Sequence, residues 1–157
     1  MVCCFFGHHD TSASVNADLL ECIENIIKEG KADYFLVGNH GSFDSMVRYA
    51  LRSLKDKYPH IRYNVVLAYM PGQKDEYSQD EKYQLETLYP EGLETVPKRF
   101  AISWRNDWML KLSDIVVCYV RHSMGGSGKF VEKAIRQKKQ VINLAEPFNI
   151  NKTEDTQ

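Results

Sequence analysis

The stretch IVVCYVRHSMGGSGKFVEKA, residues 115–134, decides the fold. Its first six residues, Ile115–Val120, form an uninterrupted apolar run, which is typical of a strand buried on both faces of a sheet. Three glycines within four residues follow, and a helix is predicted from about Gly128 to Lys138. A buried strand, a glycine-rich loop and a helix in this order predict one unit of a parallel α/β sheet.

The same order of signals recurs along the chain. Apolar runs and segments with helical spacing predict four more strands (Val2–Phe6, Tyr34–Val37, Tyr63–Tyr69, Val141–Leu144) and three more helices (Val15–Glu29, Asp44–Lys57, Ala101–Leu112). Gly30 is placed to end the first of these helices. The segment Met70–Val96 has weak periodicity, and we predict it to be irregular. The fold class is therefore α/β, a Rossmann-like three-layer sandwich with a mostly parallel sheet of about five strands.

Length and composition limit the class of protein. A chain of 157 residues suits one domain, predicted over residues 1–148, with a polar and flexible tail at residues 149–157. The formal net charge of −1 provides no general attraction for nucleic acid, so a nucleic-acid partner is not expected. The apolar run at the start is too short to span a membrane.

Cysteine usage predicts a reducing compartment. The four cysteines, Cys3, Cys4, Cys22 and Cys118, form no C-x-x-C pair, and Cys3 and Cys118 lie inside predicted strands. Cysteines in such positions behave as small apolar residues. We therefore expect a cytoplasmic protein with reduced thiols and neither a metal site nor a cofactor.

In parallel sheets ligands bind beyond the carboxyl ends of the strands, where the strand order reverses. This places a candidate site in the loops that follow the strands: Gly7–Thr11, Gly38–Asp44, Met70 onwards and His122–Gly128.

The strongest signal in these loops is the stretch Gly125-Gly126-Ser127-Gly128. Glycines let backbone N–H groups come close to a phosphate, and the start of a helix adds partial positive charge. Lys129 contributes a formal charge in the first turn. The alternative is a tight turn that only needs glycine torsion angles. The spacing matches neither the P-loop nor the dinucleotide fingerprint.

The loop after the second predicted strand, Gly38-Asn39-His40-Gly41 with Asp44, forms a second candidate wall. His40 is a candidate acid–base group, because an unperturbed imidazole titrates near neutrality. Asp44 either caps the helix or contacts a ligand hydroxyl.

Other candidate ligand-binding residues are Gly7 and His8 after the first strand, and Arg99 before the third helix. Arginine suits bidentate recognition of phosphate, although surface solvation explains Arg99 equally well. The pair His8–His9 does not predict a metal site, since adjacent residues rarely share a metal without further ligands.

The chain resembles the LOG proteins, which are cytokinin-activating phosphoribohydrolases within the SLOG superfamily (LOG- and DprA-like Rossmann-type domains). The similarity lies in Arg105-Asn106-Asp107-Trp108-Met109, Ser113-Asp114 and Gly125-Gly126-Ser127-Gly128-Lys129-Phe130-Val131-Glu132. The chain is closer still to a small bacterial and phage branch of SLOG, through CFFGH, VGNHG with FDSMV, YPEGLE, VPKRFAI, RN and WM. The resemblance covers the chain from Cys4 to Leu144.

This resemblance implies that Arg105 and Glu132 are catalytic, that the glycine loop holds a 5′-phosphate, and that the protein is a homodimer. Glu132 would then bind a ribose hydroxyl or stabilise an oxocarbenium-like ribosyl group. Taken without the resemblance, Glu132 reads as an exposed residue that supports Arg136. The aromatic side chains of Phe100, Trp104 and Trp108 could form the dimer patch or belong to the core.

Three positions depart from the LOG pattern: Met124 replaces proline, Asn106 replaces lysine and Lys129 replaces threonine. Our first hypothesis is therefore a module that binds or senses a nucleotide-derived ligand. The alternative is hydrolysis of the N-glycosidic bond of a nucleoside 5′-monophosphate.

Overall fold

Six parallel strands form one sheet in the computed structural model, which describes residues 1–70, 86–121 and 126–145. The strands are β1 (Val2–Gly7), β2 (Tyr34–Val37), β3 (Arg62–Val66), β4 (Thr87–Leu88), β5 (Ile115–Tyr119) and β6 (Gln140–Asn143). The helices of the described residues are α1 (Asn16–Lys28), α2 (Gly41–Lys57), α3 (Ala101–Leu112) and α4 (Gly126–Arg136). The strand order is β4-β3-β2-β1-β5-β6, and every neighbouring pair is parallel.

The two faces of the sheet are covered by different helices. Cys3 and Phe5 of β1 pack in a core cluster with apolar residues of α1 and α2, whereas Cys4 and Phe6 pack in a second cluster with residues of α3 and α4. Alternate side chains of a strand point to opposite faces, so one buried strand supplies both clusters. The predicted α/β three-layer sandwich with a parallel sheet is confirmed.

Helix α1 ends as the sequence predicts. Gly30 has a φ of 67°, in the left-handed region that glycine adopts without strain. The Gly30 N–H donates to the Ile27 carbonyl at 3.1 Å, and the Lys31 N–H donates to the Ile26 carbonyl at 3.0 Å. These bonds satisfy carbonyl groups that a helix end leaves without partners.

The sheet has a strand that we did not predict. The segment Met70–Val96 contains β4, whose residues Thr87 and Leu88 pair with Val65 and Val66 of β3. The expectation of an irregular segment was wrong at these two residues, because two residues are too few to show a strand period. Strand β3 also ends at Val66 rather than at Tyr69. Residues 71–85 lie outside the described part.

Two helices begin earlier than predicted. Helix α2 begins at Gly41 rather than Asp44, and α4 begins at Gly126 rather than Gly128. Consequently Asp44 lies in the first turn of α2, and Ser127 lies in the first turn of α4. Both shifts bring side chains of the predicted loops onto helix ends at the carboxyl edge of the sheet.

Other sequence predictions concern the cysteines, the aromatic side chains, membrane spans and the tail. All four cysteines are free. Trp104 packs against a small cluster around Leu93, and Trp108 packs against the second core cluster, whereas Phe100 is half exposed. None of the described helices is long and apolar enough to span a bilayer. The predicted tail, residues 149–157, lies outside the described residues, and the boundary at residue 148 stays a prediction.

We expect replacement of Phe35 by alanine to lower the free energy of unfolding by about 3–5 kcal/mol, because it opens a cavity in the core. Phe35 is fully buried on β2, and its ring stacks on that of Phe5 with centroids 6.2 Å apart. Urea denaturation measures the change. Tyr49→Ala is the control, since Tyr49 is 77% exposed and its loss should change stability by less than about 0.5 kcal/mol. Equal effects of the two substitutions would contradict this packing.

Candidate functional site

The strand order creates a crevice beside β1. From β1 the chain builds β2, β3 and β4 towards one edge, and it then crosses back to place β5 on the other side of β1. The loops that follow β1 and β5 therefore leave the sheet in opposite directions. Open α/β sheets bind ligands at such a reversal, beyond the carboxyl ends of the strands.

A cleft of about 450 Å³ occupies this position. Its lining comes from the ends of β1 and β2, from the first turns of α2 and α4, and from one side of α3. The described lining residues are Phe5, Phe6, Gly7, His8, His9, Asp10, Gly38, His40, Asp44, Ile102, Arg105, Asn106, Gly126 and Ser127.

Hydrogen bonds hold the loop after β1 against the start of α2. The Thr11 hydroxyl donates to the His8 carbonyl at 2.6 Å, and the Ser42 N–H donates to the His9 carbonyl at 2.8 Å. Gly41 permits this approach, because its φ is 88° and a Cβ there would lie 2.4 Å from the His9 Cα. A side chain at residue 41 would therefore force the two loops apart.

The loop after β1 also contacts the chain that follows β5. The His8 N–H donates to the Tyr119 carbonyl at 3.4 Å, and the Arg121 N–H donates to the His8 Nε2 at 3.1 Å. On α4, the Ser127 hydroxyl donates to the Gly7 carbonyl at 2.9 Å. These bonds fix the first turn of α4 next to the end of β1, which is the floor of the cleft.

Two charged side chains converge on Gly38 at the end of β2. A Cβ on Gly38 would lie 2.7 Å from the Asp44 Oδ2 and 2.9 Å from the Arg105 Nη1. Glycine is needed here because any side chain would displace one of these groups. The Asp44 Oδ2 accepts the His40 N–H at 3.0 Å, which satisfies a donor at the start of α2.

Arg105 is unusual because its side chain is almost completely buried, with 2% of its surface exposed. Its Nη1 donates to the Val66 carbonyl at 3.0 Å and to the Asn39 Oδ1 at 3.3 Å, and its Nε donates to the Asn106 Oδ1 at 2.9 Å. Arg105 therefore joins α3 to the ends of β2 and β3. Burial lowers the pKa of Arg105, and the negative charge of Asp44 opposes this effect.

The other titratable groups of the cleft are also shifted by their surroundings. Burial raises the pKa of Asp44 from 3.8 to about 6, although Arg105, the His40 N–H and Arg48 favour the charged form. Partial removal from water lowers the pKa of His40, and the positive charges of Arg105 and Arg48 lower it further. Titratable groups with shifted pKa values cluster at functional sites more often than elsewhere.

The first turn of α4 lines the cleft beside the end of β1, whereas Asp44 lies against Gly38 after β2. Gly126 is exposed, and a Cβ there would meet no atom of the described residues within 4 Å. The backbone N–H groups at the start of an α-helix have no partners within the helix and carry partial positive charge. Among the described residues, no atom covers the side of Gly126 at the start of this 11-residue helix.

The structure brings most of the predicted site residues to this cleft: Gly7, His8, Gly38, His40, Asp44, Arg105, Gly126 and Ser127 all line it. Others lie elsewhere. Asn39 accepts a hydrogen bond from Arg105 but is not part of the described lining. Gly41 supports the loop after β1. Gly128 is buried within α4. Arg99 is exposed and lies over the Phe100 ring, and both Lys129 and Glu132 are exposed away from the described lining. Gly125 lies outside the described residues.

Two lining residues on α3, Ile102 and Asn106, were not predicted as site residues. The pattern of buried residues in α3 could have indicated these two positions. Ala101, Arg105 and Met109 recur every four residues on the buried side of α3, so an arginine occupies an apolar stripe. A charge in that position indicates a buried polar site, and Ile102, one turn before Arg105, and Asn106, the next residue, share the cleft with it. No group of three or more metal-ligating side chains occurs among the described residues.

We expect Asp44→Asn to raise the free energy of unfolding above pH 7 by up to about 3 kcal/mol, because burial disfavours the charged carboxylate. The folded protein holds the Asp44 proton more tightly than the unfolded chain does. The parent protein therefore loses this stability as pH rises from about 4 through about 6, and the asparagine variant does not. Urea denaturation of both proteins between pH 5 and 8 should give a difference that grows with pH. A less stable variant at pH 8 would show that attraction to Arg105 outweighs burial.

The chain is similar to known proteins at the level of its family. No curated protein matches the chain. The profile of the YspA SLOG family matches residues 2–145, which includes every described strand and helix. A match over most of the sequence, together with the parallel sheet and the crevice beside β1, shows that the chain belongs to the YspA SLOG family.

Proposed function

We propose that the protein binds a nucleotide or a nucleotide-derived molecule in the cleft at the carboxyl end of β1, as a sensing or sequestering module. The observation that carries this proposal is the pairing of an exposed helix start at Gly126 with a buried arginine, Arg105, in one cleft. The helix start attracts anions, and the buried arginine holds the loop after β2 in place through Asn39, so the cleft combines an anion-binding end with a fixed wall.

The phosphate of the ligand binds at the first turn of α4. Backbone N–H groups there hold an anion without any formal positive charge, and no atom of the described residues lies within 4 Å of a Cβ built on Gly126. Placing the phosphate at this end also keeps it away from the negative charge of Asp44. The overall charge of −1 does not oppose this arrangement, because the attraction is local.

The remaining surface of the cleft suits the uncharged part of a nucleotide. Ile102, Phe5 and Phe6 provide apolar area, and His40 and Asn106 provide polar groups. Small-molecule sites typically combine apolar walls with a few convergent polar groups. The cleft volume of about 450 Å³ lies within the usual range for ligands of this size.

We expect nucleoside monophosphates, cyclic nucleotides, dinucleotides or ADP-ribose to raise the melting temperature of the protein in a thermal-shift screen. Gly126→Asp should weaken binding of the best ligand by at least about tenfold, because it places a negative charge at the phosphate position. The helix should still form, since aspartate is favourable in a first turn. Ser53→Asp adds the same charge on the exposed side of α2 and should leave the affinity unchanged. If no compound of these classes stabilises the protein, the proposal is wrong.

Hydrolysis of a nucleoside 5′-monophosphate is the second candidate function. It is favoured by the position of Arg105, which the LOG resemblance implies to be catalytic and which lines the cleft. The second residue implied by the resemblance, Glu132, is exposed and does not reach the described lining. Binding without turnover therefore fits this geometry better.

We expect nucleoside monophosphates incubated with the protein to be recovered intact by chromatography. Release of free base and ribose 5-phosphate would establish the second function instead. Glu132→Gln then identifies the residue responsible: a lost rate with retained binding would assign Glu132 a role in the reaction, and an unchanged rate would exclude it.

A further inference from the structure

We infer that Asp44, rather than Glu132, is the carboxylate that meets the ligand, and that it accepts hydrogen bonds from the hydroxyl groups of a ribose ring. The cleft would then select ribonucleotides over 2′-deoxyribonucleotides. This inference rests on the proposed function and specifies the chemical class of its ligand.

The two carboxylates differ in where they lie. Glu132 is exposed on α4, six residues after the first residue of that helix. With a rise of about 1.5 Å per residue, it lies about 9 Å along the helix axis from the end that lines the cleft. Asp44 is 8% exposed and lines the cleft directly.

The carboxylate of Asp44 has unused capacity to accept hydrogen bonds. Its Oδ2 accepts the His40 N–H at 3.0 Å. Its Oδ1 accepts no hydrogen bond from the described residues, and because every fully enclosed side-chain polar atom among them is paired, this oxygen keeps some exposed surface. A ligand hydroxyl can replace water at this oxygen, and hydrogen bonds to a charged acceptor are stronger than those between neutral groups.

The spacing of the strands places ribose hydroxyls at Asp44 when the phosphate is at α4. Gly38, against which Asp44 lies, follows β2, and Gly7, to which Ser127 donates, ends β1. Neighbouring strands are about 4.8 Å apart, so the two ends of the cleft are separated by one to two strand spacings, about 5–10 Å. In a nucleoside 5′-phosphate, one sugar ring and a methylene group separate the phosphate from the 2′- and 3′-hydroxyls, which suits this distance.

Electrostatic interactions favour one orientation of the ligand, with its phosphate at α4 and its ribose at Asp44. The negative charge of Asp44 repels a phosphate but strengthens hydrogen bonds from hydroxyl groups. Arg105 approaches the same position beside Gly38 and is held by Val66 and Asn39, so it stabilises the ionised carboxylate without having to move. The ribose 2′-hydroxyl is the group by which a protein distinguishes ribonucleotides from their deoxy counterparts.

The test compares AMP, GMP and CMP with their 2′-deoxy forms by calorimetric titration of the unmodified protein at pH 8. We expect each ribonucleotide that binds to do so about 10- to 100-fold more tightly than its 2′-deoxy form, the effect of one hydrogen bond to a charged acceptor. Equal affinities would overturn this inference and leave the proposed function standing. Failure of both forms to bind would overturn the inference alone, because the proposed function is tested separately by the thermal-shift screen with the other nucleotide classes.

Variants then identify the residue responsible. Asp44→Ala should bring the ribose-to-deoxyribose affinity ratio close to one, and Asp44→Asn should give an intermediate ratio. Asp56→Ala is the matched control, because Asp56 is an exposed aspartate on the same helix, and its ratio should equal that of the parent. A ratio that survives Asp44→Ala, or that is lost in Glu132→Gln, would assign the recognition to another carboxylate and refute the inference.

Discussion

Strand β1 forms hydrogen bonds with β2 on one side and with β5 on the other, and this double pairing fixes the carboxyl edge of the sheet. Because β1 is the strand at which the order reverses, the helices that follow β1 and β5 cover opposite faces of the sheet and leave a crevice at its carboxyl edge. The first turn of α4 then docks on the end of β1 through the bond from Ser127 to the Gly7 carbonyl. The cleft is thus a result of strand order, and its side chains only determine what binds there.

The buried polar groups of the cleft lower the stability of the fold, and in our proposal they serve ligand binding. Asp44 and Arg105 are both buried, and burial shifts both pKa values towards the neutral forms. A core built only for stability would use apolar residues at these positions. Glycine at residue 38 leaves the space that these two side chains occupy, and both line the proposed ligand cleft. The neighbouring parts of the sheet supply the compensating stability through two continuous apolar clusters.

Much of the fold could be predicted from the sequence because long buried strands and amphipathic helices have clear periods. The exception was β4, where two residues pair with β3 and provide no period to detect. The loops of the site could also be placed, since parallel strands put their carboxyl ends at one edge. Individual side chains were harder: Ile102 and Asn106 face the cleft because of the rotation of α3, and the solvent exposure of Glu132 depends on the direction of α4. These orientations arise from packing between elements that are distant in sequence.

The pairing of β1 with β5 delays completion of the sheet during synthesis of the chain. Cys3 of β1 pairs with Ile115, so one edge of the central strand stays open until most of the chain has been synthesised. During that interval a nascent chain that has already joined β1 to β2 exposes unpaired backbone groups, together with the apolar side chains of Cys4 and Phe6 that α4 later covers. Open strand edges of this kind invite association with other chains. The order of synthesis therefore leaves this edge open to association with other chains until β5 has been made.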